Sequence, residues 1–147
     1  MRQEEIVQAA RAWIGTPYHD QASLRGAGCD CLGLLRGVWR ELVGPEPVDM
    51  RPYARDAGEA GSVELIADPV RGFMDEVSLQ DRQPGDVLLF RMPHMRVAKH
   101  CAFQSGPGMI IHAYERRGVV EMRMPVEWRG RIAFVFRFPD LAQNGVS

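Results

Sequence analysis

The stretch KHCAFQSGPGMIIHAY, residues 99–114, decides the fold of this chain. It contains two β-rich runs, Ala98 to Gln104 and Met109 to Tyr114, which are separated by Gly-Pro-Gly at residues 106–108. Glycine and proline over so short a distance favour a hairpin connection. The stretch therefore predicts two neighbouring antiparallel strands.

The pattern on either side of this hairpin predicts the rest of the fold. Three further strand-like runs are Val87 to Met92, Val119 to Met124 and Ile132 to Phe138. In the part of the chain before these strands, apolar residues recur at the spacing of an α-helix. Helical runs extend from Glu4 to Ile14, from Leu32 to Leu42, and from an Asp68-Pro69 start with Val70, Phe73, Met74 and Val77 on one face. Residues Pro45 to Gly61 predict a long surface connection. The order predicts one α+β domain over 1–147, with N-terminal helices packed on a C-terminal antiparallel five-stranded sheet.

Composition and charge exclude several classes of protein. The 147 residues are 46% hydrophobic and 25% charged, which is ordinary for a globular domain and excludes disorder and collagen-like repeats. The net charge of -1 provides no positive field for nucleic acid. Acidic residues near the start and the lack of a long apolar run predict a chain made in the cytoplasm without a signal peptide or membrane insertion.

Cys31 has the position of an activated nucleophile. It follows the glycine-rich loop Gly26 to Asp30 and opens the second predicted helix. Unpaired N–H groups and the positive end of the helix dipole stabilise a thiolate at that place. The N–H of Cys31 can also donate to an oxyanion formed on attack.

Two histidines lie where they can support such a nucleophile. Strand alternation sends His100 and Ala102 to one face, and Cys101 and Phe103 to the other. His112 lies on the neighbouring predicted strand among apolar residues. In the logic of a catalytic triad, His100 takes the proton from Cys31 while His112 bonds the far nitrogen of His100. His19 and His94 lie in polar, loop-like stretches and are expected to be solvated.

The same residue types leave two other site chemistries to weigh. Cys29, Cys31, His100, Cys101 and His112 include enough ligand types for zinc, but the C-x-C spacing and the opposite directions of His100 and Cys101 argue against a metal site. A redox dithiol is disfavoured too, because C-x-C is not the C-x-x-C motif. We therefore expect no metal and no cofactor.

At this point the sequence resembles the NlpC-type cell-wall peptidases, a papain-like cysteine peptidase family. The resemblance is carried, in order, by Gly15-Thr16-Pro17-Tyr18, Asp30-Cys31-Leu32-Gly33-Leu34, Pro84-Gly85-Asp86, Lys99-His100-Cys101-Ala102-Phe103 and Ile111-His112-Ala113. It implies that Cys31 is the nucleophile, His100 the general base and His112 the orienting residue. It also implies that Tyr18 and Asp30 support the substrate and the oxyanion.

The resemblance further implies a substrate and a place of action. Family members commonly hydrolyse the bond between D-glutamate and a diamino acid in peptidoglycan stem peptides. The runs Val87 to Met92 and Ala98 to His100 are most similar to short members encoded among phage tail genes and gene transfer agents. The expected partners are therefore stem peptides and phage-like tail proteins, with incorporation into a tail particle. Two alternatives remain, a structural tail-tip or assembly protein and a thiol-dependent acyltransferase or amidase.

Overall fold

The computed structural model describes residues 3–47 and 64–140 as helices against a large sheet. The helices are α1 (Gln3–Arg11), α2 (Cys31–Leu42) and α3 (Ala67–Val70). The strands are β1 (Ser23–Leu24), β2 (Gly28–Cys29), β3 (Asp75–Val77), β4 (Val87–Phe90), β5 (His100–Gly106), β6 (Met109–Tyr114), β7 (Gly118–Arg123) and β8 (Ile132–Arg137). Most of the predicted connection from Pro45 to Gly61 lies outside the described residues. The single domain over 1–147 stays a prediction.

The main sheet has six strands in the order β3-β8-β4-β5-β6-β7, and every neighbouring pair is antiparallel. One face carries the larger core, in which residues of α1 and α2 pack against alternate side chains of the strands. The opposite face carries a smaller apolar cluster that includes Leu88, Phe90 and Ala102. The predicted α+β class is confirmed, with one more strand than the five expected.

The helix predicted from an Asp68-Pro69 start is present over Ala67–Val70, with Ile66 rather than Asp68 before it. Its expected continuation to Val77 is wrong, because the additional strand, β3, lies there. The helix α3 ends at Val70, and Asp75–Val77 pairs with β8 at the sheet edge. Gly72 disfavours continuation of the helix. The edge of β8 offers backbone hydrogen-bond partners to Asp75–Val77. Because β8 is far away in the sequence, the spacing of apolar residues around Asp75 could not predict this pairing.

Several boundaries differ from the predicted ones by two or three residues. Helix α1 ends at Arg11 rather than Ile14, because the chain turns there and the N–H of Gly15 donates to the carbonyl of Val119 on β7. Strand β5 begins at His100 rather than Ala98. This shift places His100 at the very end of a strand, where its side chain can reach beyond the sheet.

An ion pair between a buried carboxylate and a partly exposed arginine joins the start of β4 to β8. Asp86, only 1% exposed, accepts bonds from Nε and a terminal nitrogen of Arg137, each at 2.9 Å. The same carboxylate accepts the N–H of Gln83 at 2.9 Å. A buried carboxylate needs such partners to offset its desolvation. The Pro84-Gly85-Asp86 motif therefore anchors the start of β4 to β8.

None of the described helices has the length and apolarity needed to cross a membrane.

Candidate active site

Cys31 is the first residue of α2, and the residue before it caps that helix. Asp30 has extended backbone, and its Oδ1 accepts the N–H of Gly33 at 2.7 Å. Its Oδ2 accepts the N–H of Gln21, also at 2.7 Å. Both oxygens of Asp30 therefore hold the loop and the helix start in one geometry. This local sequence places the half-buried Cys31 thiol at the end of α2 where unpaired N–H groups lie.

Gly33 permits the close packing that supports this turn. A Cβ at this position would overlap the carbonyl oxygen of Ala22. The hydroxyl of Ser23 donates to the carbonyl of Gly33 at 2.6 Å. The preceding loop therefore lies directly against the first turn of α2, so a side chain at Gly33 would displace the helix that begins at Cys31.

The N-terminus of α2 meets the beginning of β5. The Cys31 Sγ lies 3.5 Å from the carbonyl oxygen of Lys99, to which it donates. The Cys101 thiol lies 3.2 Å from the carbonyl oxygen of Cys31, to which its single proton is donated while Cys31 is neutral; when Cys31 is a thiolate, the same proton is donated to its sulfur instead. His100 lies between Lys99 and Cys101 at the start of β5 and is near enough to Cys31 to favour its thiolate form. The structure thus brings together residues nearly seventy positions apart in sequence.

His100 and His112 form a direct hydrogen bond between their rings. The Nε2 of His100 lies 2.8 Å from the Nδ1 of His112, and the ring centroids are 5.0 Å apart. Phe103 pairs with Ile111 across β5 and β6, which places His112 opposite Ala102 on the same face as His100. The expected approach of these two imidazoles is confirmed. Because Nε2 of His100 faces His112, its Nδ1 is the nitrogen left to face Cys31.

The three cysteines differ in how their surroundings affect the thiolate. The pKa of Cys31 is lowered well below its usual value, first by the hydrogen bond from Cys101 and, against the opposing effect of burial, by His100. The pKa of Cys101 is raised, because it donates to Cys31 and is buried. Burial raises the pKa of Cys29 to about 12. Of the three, Cys31 is therefore the one whose surroundings favour the thiolate, which is the reactive form of cysteine.

His112 is held neutral by its surroundings. Its side chain is fully buried, and burial, followed by the charge of His100, lowers its pKa to about 3. A neutral imidazole carries one N–H. If that proton is on Nε2 of His112, its Nδ1 accepts from His100 and leaves the Nδ1 of His100 free as a base. Within the described part of the chain, Nε2 of His112 has no hydrogen-bond partner.

Of the two predicted supporting residues, Asp30 directly precedes Cys31, and Tyr18 lies next to Cys29. Tyr18 is half-buried and pairs through its backbone with Cys29, two residues before Cys31. The carboxylate of Asp30 is occupied by two backbone N–H groups, and burial, together with the nearby Cys31, raises its pKa. Contact with substrate or oxyanion stays a prediction for both residues. What the structure assigns to Asp30 is the cap of α2.

Two residues of the site were missed by the sequence reasoning. Alternation correctly sends Cys101 to the face opposite His100, but α2 packs on that face and brings Cys31 against the Cys101 thiol. Trp128, in a short 3₁₀ helix (Val126–Arg131), contacts the rings of both His100 and His112. No sequence motif links Trp128 to the histidines. For Cys101, its position directly after His100 was the available signal.

The structure also places the two remaining histidines and bears on the zinc-site alternative. His19 and His94 are exposed, as expected. Within residues 3–47 and 64–140, no group of three or more His, Cys, Asp or Glu side chains is arranged to hold a metal ion.

Comparison with known proteins supports the resemblance seen in the sequence. No protein-family model matches the chain. The γ-DL-glutamyl hydrolase of Bacillus subtilis is 26% identical over 137 residues, which are 92% of this chain and 29% of that protein. The chain thus spans less than a third of the curated relative's length.

Solved structures show the same arrangement of helices and strands. The NlpC/p60 domain of the peptidoglycan hydrolase SagA matches with a TM-score of 0.66 and 23% identity over 94% of this chain and 100% of that one. The peptidoglycan hydrolase RipB of Mycobacterium tuberculosis matches with a TM-score of 0.63 and 18% identity over 94% of this chain and 65% of that one. The α+β architecture and these matches agree, and this chain has the NlpC/P60 fold.

Proposed function

We propose that this protein is a cysteine peptidase that hydrolyses peptidoglycan stem peptides at the bond between D-glutamate and a diamino acid. One observation carries the proposal. Cys31 lies at the N-terminus of a helix against the start of β5, where His100 favours its thiolate form, and His100 in turn bonds His112 at 2.8 Å. A thiol, a base and a group that orients the base form the constellation of nucleophilic acyl transfer.

The first half of the reaction uses the thiolate of Cys31. Its sulfur adds to the carbonyl carbon of the scissile bond, and the carbonyl oxygen becomes an oxyanion. The N–H of Cys31, the first residue of α2, lacks an acceptor within the helix and can donate to that oxyanion. The carbon–nitrogen bond then breaks, and His100 gives the leaving amine the proton it took from the thiol. The product is a thioester on Cys31.

The second half returns the enzyme to its starting state. His100 removes a proton from water, the hydroxide adds to the thioester carbon, and the carbon–sulfur bond breaks to release the acid and the thiolate. Nε2 of His100 lies 2.8 Å from Nδ1 of His112. In the mechanism proposed here, Nε2 of His100 carries the proton of this hydrogen bond, so Nδ1 of His100 is kept toward the sulfur. Because the pKa of His112 is lowered to about 3, it stays a neutral acceptor at neutral pH.

The names of similar proteins support the proposed substrate. The Bacillus subtilis relative is a γ-DL-glutamyl hydrolase, and SagA and RipB are peptidoglycan hydrolases. The half-buried position of Cys31 favours an enzyme over a purely structural protein, because an inaccessible thiol could not meet a substrate.

The experiment is hydrolysis of a defined stem peptide, L-alanyl-γ-D-glutamyl-diamino acid, followed by mass spectrometry. The wild-type protein should release the free diamino acid, and Cys31→Ala should fall to the uncatalysed background. Cys29→Ala is the matched control, since the pKa of its buried thiol is raised, and it should retain activity. A Cys31→Ala protein that is folded and as active as wild type contradicts the mechanism. Transfer of the acyl group to an added amine, without release of acid, indicates the acyltransferase alternative.

We also propose that the protein acts as a component of a phage-like tail. The support is the resemblance of Val87 to Met92 and Ala98 to His100 to members encoded among tail genes. Particles purified on a density gradient should contain the chain in a constant ratio to the tail proteins. Its presence only in the soluble fraction contradicts tail incorporation.

A further inference from the structure

Trp128 lies against both histidines of the site. Its ring centroid is 5.7 Å from that of His100 and 5.6 Å from that of His112, with interplanar angles of 79° and 85°. It also lies 5.3 Å from Phe90, the strand neighbour of His100. One side chain from the connection between β7 and β8 therefore contacts both members of the imidazole pair.

The surroundings of this pair are otherwise apolar. Trp128 packs against the apolar cluster of Phe90, Ala102 and Ile110 on the face that carries the histidines. The cross-strand partner of His112 on β7 is Val120. In such a place a hydrogen bond between two imidazoles is strong only while water is kept away from it.

We propose that Trp128 is a positioning residue of the Cys31 site: its indole covers the hydrogen bond between His100 and His112 and keeps it dry. The inference rests on the proposed peptidase function, because it assigns a role to the base of that reaction. The ring contacts of Trp128 are with His100, His112 and Phe90, so in this proposal it acts through the two histidines. Removal of the indole opens His112 to water.

The consequence of hydration is a change in the charge of His112. Burial is the larger of the two causes that hold its pKa at about 3, and the charge of His100 is the other. The ring neighbours of His112 are His100, Trp128 and Tyr114. The charged residues adjoining Trp128 in sequence are Glu127 and Arg129, both exposed. Without the indole, the pKa of His112 should rise toward 6.5, and a protonated His112 cannot accept from His100.

The test compares Trp128→Ala with Trp128→Phe and, as the matched control in the same 3₁₀ helix, Val126→Ala. Val126 is 75% exposed and belongs to no part of the site. The first readout is the titration of His112 by NMR of histidine-labelled protein. Its pKa should rise by more than about one unit in Trp128→Ala and stay near the wild-type value in the other two variants. This readout needs no substrate, so it decides the role of Trp128 even if the peptidase function fails.

The second readout is the pH profile of stem-peptide hydrolysis. Between about pH 8 and about pH 5.5, kcat of Trp128→Ala relative to wild type should fall up to about tenfold, with KM little changed. Trp128→Phe should restore most of it. An unchanged His112 titration in Trp128→Ala, or an equal shift in Val126→Ala, overturns the proposal. If Trp128→Ala does not fold, Trp128→Leu, which keeps an apolar side chain but loses the ring, is judged by the same criterion.

Discussion

Replacement of His112 by glutamine should remove a large part of the acid sensitivity of this fold. The native pKa of His112 is about 3, whereas the ordinary value is 6.5, because its ring is buried. Between these two values the unfolded chain binds a proton that the native protein excludes. Stability therefore rises with pH across this window and falls as pH drops below 6.5. Glutamine does not titrate, yet its side-chain oxygen can still accept from His100.

The magnitude follows from the two pKa values. At about pH 7 the difference in proton binding is nearly absent, and at about pH 5 it destabilises the native state by about 2 kcal/mol. A domain of this size has a total stability of about 5 to 15 kcal/mol, so the loss is measurable. The contributions of other groups, including the raised pKa of Asp30 and the lowered pKa of Glu121, are common to both proteins and cancel in the comparison.

The assay is urea unfolding followed by circular dichroism at a series of pH values from about 7 to about 5. Wild type should lose about 2 kcal/mol more than His112→Gln over this range, with similar m values. His94→Asn, at an exposed loop histidine, is the matched control and should keep the wild-type dependence. Parallel curves for wild type and His112→Gln would refute the claim that His112 is buried in its neutral form.

Two further predictions concern the groups around Cys31. Cys101→Ala should raise the pKa of Cys31, because it removes the hydrogen bond that lowers this pKa most. The pH midpoint of iodoacetamide labelling of Cys31 should therefore move upward. Cys101→Ser keeps a hydrogen-bond donor, so its midpoint should stay close to that of wild type. An unchanged midpoint in Cys101→Ala would show that the second thiol has no influence. Asp30→Ala should lower the free energy of unfolding by about 1 kcal/mol through loss of the α2 cap. Asp30→Asn should retain most of this stability, because asparagine is also a good N-cap residue. Equal urea midpoints for the two variants would contradict the capping role.

The local features of this site could be predicted from the sequence because they depend on neighbouring residues. The order Asp30-Cys31 before an apolar helical run is enough to place a thiol at a helix N-terminus, since the cap and the helix are adjacent in the chain. The two-residue period of a strand is likewise enough to place His100 and His112 on one face once the hairpin between them is recognised. The helix predicted to reach Val77 shows the limit of such reasoning, because it ends at Val70 and Asp75–Val77 forms a strand instead.

Local patterns in the chain are enough to predict the fold class, the helix start at Cys31 and the shared face of the two histidines. Three other features follow from long-range packing: the Cys101 thiol lies against Cys31, Trp128 contacts both imidazoles, and β3 joins the sheet at β8. These contacts join segments far apart in the chain, and they depend on how helices and strands pack rather than on any local pattern. The lowered pKa values of Cys31 and His112 follow from the same packing, because burial and hydrogen-bond partners exist only in the folded protein.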